Sequence, residues 1–236
     1  MFLYILFHQI DQMNYKELIA LTVEKMSNLS VEVDRVNMIR YMKNQFDFFG
    51  VKSPARKEVQ KQIKAYWKEF DNANMFLFAE ALWALPQREL QYIALDALDS
   101  RSKKWDASYL PRIEKLILTK SWWDTVDSLA PNIAGAIFVN FPDIKMTWIE
   151  KWNNSENMWL NRSALIHQLR YRDKVDLDLL FALVESHIGS KEFFINKASG
   201  WALRQASKFH PAEIGNFIAN HPNLSNLTKR EGSKYI

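Results

Sequence analysis

The chain reads as an all-α protein, and three observations lead there. Nearly every long segment spaces its apolar residues at the 3.6-residue period of a helix, and none sustains strand alternation. Only 6 Gly and 7 Pro occur in 236 residues, which implies short turns and long elements. A weak repeat recurs every 35 residues, close to the length of a helix pair. Together they predict a right-handed α-solenoid of HEAT-like helix pairs with a concave basic groove, a single domain over residues 13–236.

The elements follow in order. Residues 1–12 open on Met1-Phe2-Leu3-Tyr4-Ile5-Leu6-Phe7, too short to span a membrane and lacking a basic region or small-residue cleavage site. Amphipathic pattern begins at Tyr15, so this stretch reads as an over-extended start with Met13 as the expected first residue. Ser53-Pro54 predicts a cap followed by Pro at the first helical position, with a basic amphipathic run reaching Phe70. Pro86 opens a helix over 87–99, with Glu89, Asp96 and Asp99 expected on its solvated face. The run Ser121-Trp122-Trp123-Asp124-Thr125-Val126-Asp127 starts another helix, with Trp123 and Asp127 one turn apart on the same face. One of Trp122 and Trp123 is expected to face inward. Pro142 opens a helix over 143–152, Ser155 caps one over 156–171, and Pro211 opens one over 212–220.

The repeat aligns Leu90-Gln91-Tyr92-Ile93-Ala94 with Leu160-Asn161-Arg162-Ser163-Ala164 and Ile195-Asn196-Lys197-Ala198-Ser199. Each reads apolar, side-chain amide, variable, small or apolar, small. The leading residues differ by 70 and then 35 positions, so a missing member falls at Thr125. There Thr125-Val126 breaks the apolar–amide opening, and the variable position is Asp127. Second helices of stacked pairs line a groove, and this register gives Tyr92, Asp127, Arg162 and Lys197 equivalent places along it.

Composition narrows the chemistry. Apolar residues at 48% and charged residues at 25% are ordinary for a soluble globular chain. Cysteine is absent, which removes disulfide frameworks and thiolate metal sites and makes a reducing cytoplasm the expected compartment. The net charge of +4 permits nucleic-acid binding without requiring it. The nine Trp exceed what a helical core needs, so some are expected to staple helices and some to form contact surfaces. The five His are scattered without metal-ligand spacing, and there is no glycine-rich phosphate loop and no Gly-x-Ser-x-Gly elbow. Neither metal nor cofactor is expected, nor any membrane partner, and the chain is expected to be a monomer.

What remains gathers around Asp127. Trp123 lies one turn before it, and Arg162 takes the equivalent place one repeat on. Lys197, Trp201 and Arg204 share a face at i, i+4 and i+7, while Arg170, Arg172 and Lys174 crowd the end of the Arg162 helix. Cations around an aromatic pair and one acid suit a phosphate backbone with a small polar site inside it. Each residue also has a plainer reading. Taken alone, Asp127 is a helix-surface acid paired with Arg162, Trp123 and Trp201 are packing residues, Tyr41 is a boundary residue, and the cations are solvated.

A run of segments takes the reading further: Arg40-Tyr41-Met42-Lys43-Asn44, Leu82-Trp83 with Leu85-Pro86 and Arg88-Glu89, and Thr119 through Asp127. It continues with Trp159-Leu160, Arg162, Ser190-Lys191-Glu192-Phe193-Phe194-Ile195, Lys197-Ala198, Gly200-Trp201, Leu203-Arg204 and Lys229-Arg230-Glu231. In these, from about Met13 to the end, the chain resembles the AlkD family of bacterial DNA alkylation-repair glycosylases, built from HEAT-like repeats. The resemblance implies removal of cationic alkylpurines, such as N3-methyladenine and N7-methylguanine, from double-stranded DNA, leaving an abasic site. It implies Asp127 as the catalytic acid, Trp123 and Trp201 as walls, and Tyr41 and Arg162 as supporting substrate contacts. It further implies that the base need not be flipped into a pocket. Lys197, Arg204, Arg170 and Arg172 are the expected DNA-binding cations. The sequence departs at Ala84, outside the expected site, and at Lys52, which leaves duplex contacts in that loop open. The competing expectation is a non-enzymatic HEAT-like scaffold that binds branched DNA or protein through the same groove.

Overall fold

The computed structural model describes residues 14–236. The expected extension and the alternative start at Met13 lie outside the described residues. Every named element among them is helical, and the one strand-like feature is an isolated bridge between Asp47 and Gln87. None of these helices is long and apolar enough to cross a membrane. The chain forms two compact units, one up to Lys104 and one from Trp105 to Ile236.

The first unit contains α1 (Tyr15–Ser27), α2 (Glu32–Tyr41), α3 (Ser53–Trp67), α4 (Asn72–Ala84) and α5 (Arg88–Asp99). Asn14 and Glu17 close a capping box on α1, each side chain bonding the other's backbone N–H. Helix α3 buries Val59, Ile63 and Trp67 at four-residue spacing. Its cap differs from expectation. Lys52 is the extended residue before the helix and Ser53 is already helical, so Pro54 occupies the second position. The helix ends at Trp67, short of Phe70, and the backbone N–H of Phe70 bonds the Trp67 carbonyl in a turn.

Glu89 is not solvated. It is 1% exposed, and its carboxylate accepts the backbone N–H groups of Phe49, Gly50 and Val51 at 3.0, 2.9 and 3.0 Å. A buried loop must find acceptors for its amides, and here one carboxylate serves three. Gly50 adopts φ +86°, and a Cβ there would stand 2.2 Å from the Val31 carbonyl oxygen, so no larger residue fits this turn. Glu89→Ala should therefore lower unfolding free energy by about 3–5 kcal/mol in a urea titration, since each orphaned amide costs about 1–3 kcal/mol. A loss below about 1 kcal/mol would mean that other groups satisfy the loop.

The second unit contains α6 (Leu110–Leu118), α7 (Trp123–Ser128), α8 (Gly135–Asn140), α9 (Pro142–Asn153), α10 (Met158–Ile166), α11 (Leu177–Glu185), α12 (Phe193–Ser207), α13 (Pro211–Asn220) and α14 (Asn226–Gly232). Between α7 and α8 the chain widens into a π-helical segment, Leu129–Ala134. Pro131 lies within it and has no N–H to offer a regular ladder, which accounts for the local widening. Helix α12 is the hub of this unit and packs against α10, α11, α13 and α14. Gly200 lets α12 and α14 approach closely: a Cβ there would stand 2.6 Å from the Glu231 Cβ and 2.9 Å from the Thr228 carbonyl oxygen.

Helix α10 corrects another expectation. Its cap is Asn157, whose side chain accepts from Trp159 N, and Ser155 instead accepts from Asn157 N. The helix stops at Ile166 because Gln168 exchanges two hydrogen bonds with the Asp176 backbone, 3.1 and 2.8 Å, pinning the reversing chain. Arg172, in the following turn, has φ +59°. The run to residue 171 is thus one helix and a fixed turn.

The repeated amide acquires a physical meaning. Gln91 Nε2 donates to the carbonyls of Leu82, Trp83 and Leu85, at the end of α4. Asn161 Nδ2 does the same at the end of α9, bonding Trp152, Asn153 and Ser155 at 2.9–3.0 Å. Asn196 Nδ2 bonds the Ser190 carbonyl at 2.8 Å. In each case the amide ties a helix to the carbonyls left open before it. At the missing repeat Val126 stands in this place, fully buried.

Candidate active site

The site is built on three helices of the second unit. Trp122, with extended backbone, sets the start of α7, so that Trp123 is its first residue and Asp127 follows one turn later. Arg162 projects from the middle of α10, and Lys197, Trp201 and Arg204 from one face of α12. Trp123, Asp127, Arg162, Lys197, Trp201 and Arg204 all line one cavity of about 330 Å³, with Phe193 and Phe194 completing its wall. The two adjacent tryptophans divide as anticipated. Trp122 packs against Trp159 and Phe194, with ring centroids 5.7 and 5.4 Å apart, while Trp123 lines the cavity.

Asp127 and Arg162 form a bidentate pair. Arg162 Nε donates to Oδ1 at 2.7 Å and Nη2 to Oδ2 at 2.8 Å. The third contact, Nη1 to the Phe194 carbonyl at 2.6 Å, fixes the guanidinium from the other side. Arg162 is 3% exposed, whereas Asp127 keeps 18% of its side-chain surface open. Burial pushes the Asp127 carboxyl above the ordinary carboxylate value, and the hydrogen bonds and charge of Arg162 oppose that shift. A fork of two charge-assisted bonds selects the anion and fixes its plane. The cavity thus presents an oriented negative charge flanked by two indoles.

Lys197 and Arg204 meet a partner that sequence reasoning passed over. Glu231, on α14, accepts from Lys197 at 2.9 Å, Arg204 at 2.7 Å and Lys234 at 3.0 Å. Its side chain is 5% exposed. Lys197's hydrogen bond, with Lys234 adding to it against the effect of burial, holds its carboxyl at about 2. The Lys229-Arg230-Glu231 segment was visible, but nothing in helical period or repeat register points Glu231 at α12. Its folded-state pKa lies below the ordinary 4.5, so its contribution to stability is complete above that value and is lost as pH falls toward about 2. Glu231→Gln should flatten the decline of Tm across that window, and an unchanged Tm–pH slope would contradict the assignment.

Not every expected residue joins this cavity. Arg170 is exposed, and its Nε donates to Asn132 Oδ1 at 2.7 Å. Arg172 sits in the turn after α10 with its guanidinium carbon 5.9 Å from the Phe209 ring centroid. The helix expected over 156–171 ends at Ile166, so Arg170 lies past it in the turn, with Arg172 further on. Tyr41 belongs to the first unit, where it is 70% exposed and lines a separate cavity together with Tyr92. Of the four residues in the repeat register, Asp127, Arg162 and Lys197 come together and Tyr92 stands in the first unit.

Among the described residues no cluster of three or more His, Cys, Asp or Glu is arranged to hold a metal ion. His167 is fully buried, its Nδ1 2.6 Å from the Ala164 carbonyl oxygen, and burial lowers its pKa to about 4.

All-helical units of this kind, with an acid–arginine pair opening between two tryptophans, place the chain in a recognisable class. It belongs to the DNA alkylation repair enzyme family, whose model matches residues 22–236. Among solved structures it is similar to a predicted DNA alkylation repair enzyme from Enterococcus faecalis. That protein is 30% identical, with 88% of this chain and 96% of that chain covered and a TM-score of 0.81. The structure of smu.31 from Streptococcus mutans UA159 is 15% identical, covers 89% of this chain and 99% of its own, and has a TM-score of 0.58, a likeness of fold alone. No curated protein matches the chain.

Proposed function

We propose that the chain is a monofunctional DNA glycosylase that hydrolyses the N-glycosidic bond of cationic alkylpurines in duplex DNA and leaves an abasic site. The observation that carries this reading is the Asp127 carboxylate, held edge-on by Arg162 and opening between Trp123 and Trp201. Membership of a DNA alkylation repair family supports the substrate class.

The chemistry needs little more. An N3- or N7-alkylated purine already carries positive charge, so it leaves as a neutral base when the electron pair of the C1′–N bond departs with it. No general acid is required. The sugar becomes oxocarbenium-like, and the fixed Asp127 anion stabilises that charge; one preorganised electrostatic contact of this kind contributes about 3–4 kcal/mol. Water then adds to C1′ and gives up its proton toward Asp127 or solvent. Trp123 and Trp201 flank the nucleotide and favour its cationic character by roughly 0.5–2 kcal/mol per contact. Arg162, sealed from solvent and committed to Asp127 and Phe194, acts as a positioning residue. Lys197 and Arg204, held in place by Glu231, face the phosphates.

Incubation of the purified chain with duplex bearing N7-methylguanine, followed by chromatography of the released base, tests the reading. Free N7-methylguanine and alkali-labile abasic sites are expected. Duplex bound but returned intact would favour the scaffold that binds DNA without chemistry.

A further inference from the structure

We infer that Glu231 is a positioning residue for the excision reaction: it draws Lys197 and Arg204 back from Asp127 and so keeps the cavity's single anion from being neutralised. The inference rests on the proposed reading of Asp127 as the charge that stabilises the sugar. It adds a residue that acts on that charge through two others.

The cavity carries an imbalance of charge. One carboxylate, Asp127, shares it with three cations, Arg162, Lys197 and Arg204. Arg162 already grips Asp127 through two bonds, and its third contact goes to the Phe194 carbonyl. A second cation on Asp127 would make the cluster net positive, which opposes the growth of positive charge on the sugar. Lys197 is the side chain best able to do this. Its ammonium rides on a flexible four-carbon stem, and its side chain is 37% exposed.

Glu231 restrains both cations from behind. It is not among the described residues that line the cavity. Its Oε1 accepts from Lys197 Nζ at 2.9 Å and its Oε2 from Arg204 Nη1 at 2.7 Å, so each oxygen holds one of them. Gly200 makes this reach possible. Positions 197, 200 and 204 share one face of α12, and the missing side chain at Gly200 lets the Glu231 stem settle against that face. One turn earlier on α14, Thr228 Oγ1 donates to the Asn196 carbonyl at 3.1 Å and fixes the approach. The charged groups around Asp127 are Asp124 on its own helix, Arg162 from α10, and Lys197 and Arg204 from α12. Glu231 stays ionised across the range in which Asp127 titrates, because Lys197's hydrogen bond, with Lys234 adding to it, holds its carboxyl at about 2.

Glu231→Gln in the full chain removes the charge and nearly keeps the shape. Carbon NMR of the Asp127 carboxyl against pH, assigned with Asp127→Asn, reports whether a cation has moved onto it. In Glu231→Gln the Asp127 titration should move down by about one pH unit, because a released cation favours the ionised form. Adding Lys197→Met or Arg204→Met should return it toward the wild-type position. Single-turnover excision at saturating protein should fall about tenfold in Glu231→Gln and recover with the same second substitution. Duplex affinity should not weaken, since the variant has gained positive charge. Thermal melts show which variants are folded, and Glu231→Gln/Lys234→Met, which removes a stranded partner along with the charge, replaces an unfolded single variant. The titration needs neither DNA nor turnover. A wild-type chain that releases no base therefore sinks the excision reading, whereas an unmoved titration with excision intact sinks this inference alone. An Asp127 titration within a few tenths of a unit of wild type in a folded variant, or a shift that neither second substitution reverses, would overturn it.

Discussion

Asp127→Asn should abolish excision while leaving the duplex bound. The amide keeps the shape of the carboxylate and one acceptor for Arg162, but removes the negative charge from the cavity. Under single-turnover conditions, release of N7-methylguanine is expected to fall by about 10²–10³-fold, as on removing one preorganised electrostatic group. Duplex affinity, measured by fluorescence anisotropy, should not change, because the proposed mechanism sets this charge against the sugar and not the phosphates. Undiminished release would remove Asp127 from the mechanism. The pH profile adds a second readout. Burial raises the Asp127 pKa above its ordinary 3.8, so the acid limb of activity should lie above that value, with activity lost as pH falls through it.

Arg162→Met should damage both the folded state and the site. It keeps an unbranched apolar stem and removes all three donor nitrogens, two to Asp127 and one to the Phe194 carbonyl. The acid is then left largely buried without its partner, and a stability loss of about 3 kcal/mol is expected from a urea titration. Because Arg162 opposes the upward shift at Asp127, its removal should also move the acid limb of activity to higher pH. The double variant Arg162→Met/Asp127→Asn should recover part of the lost stability, since the stranded charge is gone. A loss below about 1 kcal/mol, with an unmoved acid limb, would show that the pair is incidental.

Much of this site was legible before any coordinates. Helical period alone places Trp123 with Asp127, and Lys197 with Trp201 and Arg204, because residues three, four and seven apart share a face. The 35-residue register anticipates the pairing of Asp127 with Arg162, since equivalent positions on neighbouring helices meet. Long-range polar contacts without such a period were not legible. Glu89 looks like any acid on an amphipathic helix, and only the loop at residues 49–51, with amides lacking other acceptors, explains its burial. Glu231 is hidden for the same reason, as two of its three cations come from α12 and the third from the turn after its own helix. The end of the Arg162 helix was read too far, to residue 171, because apolar spacing continues past Ile166, while the Gln168–Asp176 exchange that stops the helix is a tertiary event. The repeated amide was visible as a pattern, and its cause became clear only from the carbonyls it bonds.

The most direct measurement compares two abasic-site mimics that differ in charge. One duplex carries a neutral tetrahydrofuran at the lesion, and the other a protonated pyrrolidine that imitates the oxocarbenium sugar. If the Asp127 anion stabilises a developing positive charge, wild-type protein should bind the cationic duplex at least tenfold more tightly, and Asp127→Asn should bind both alike. Equal affinity of the wild type for the two duplexes would contradict the mechanism at its centre.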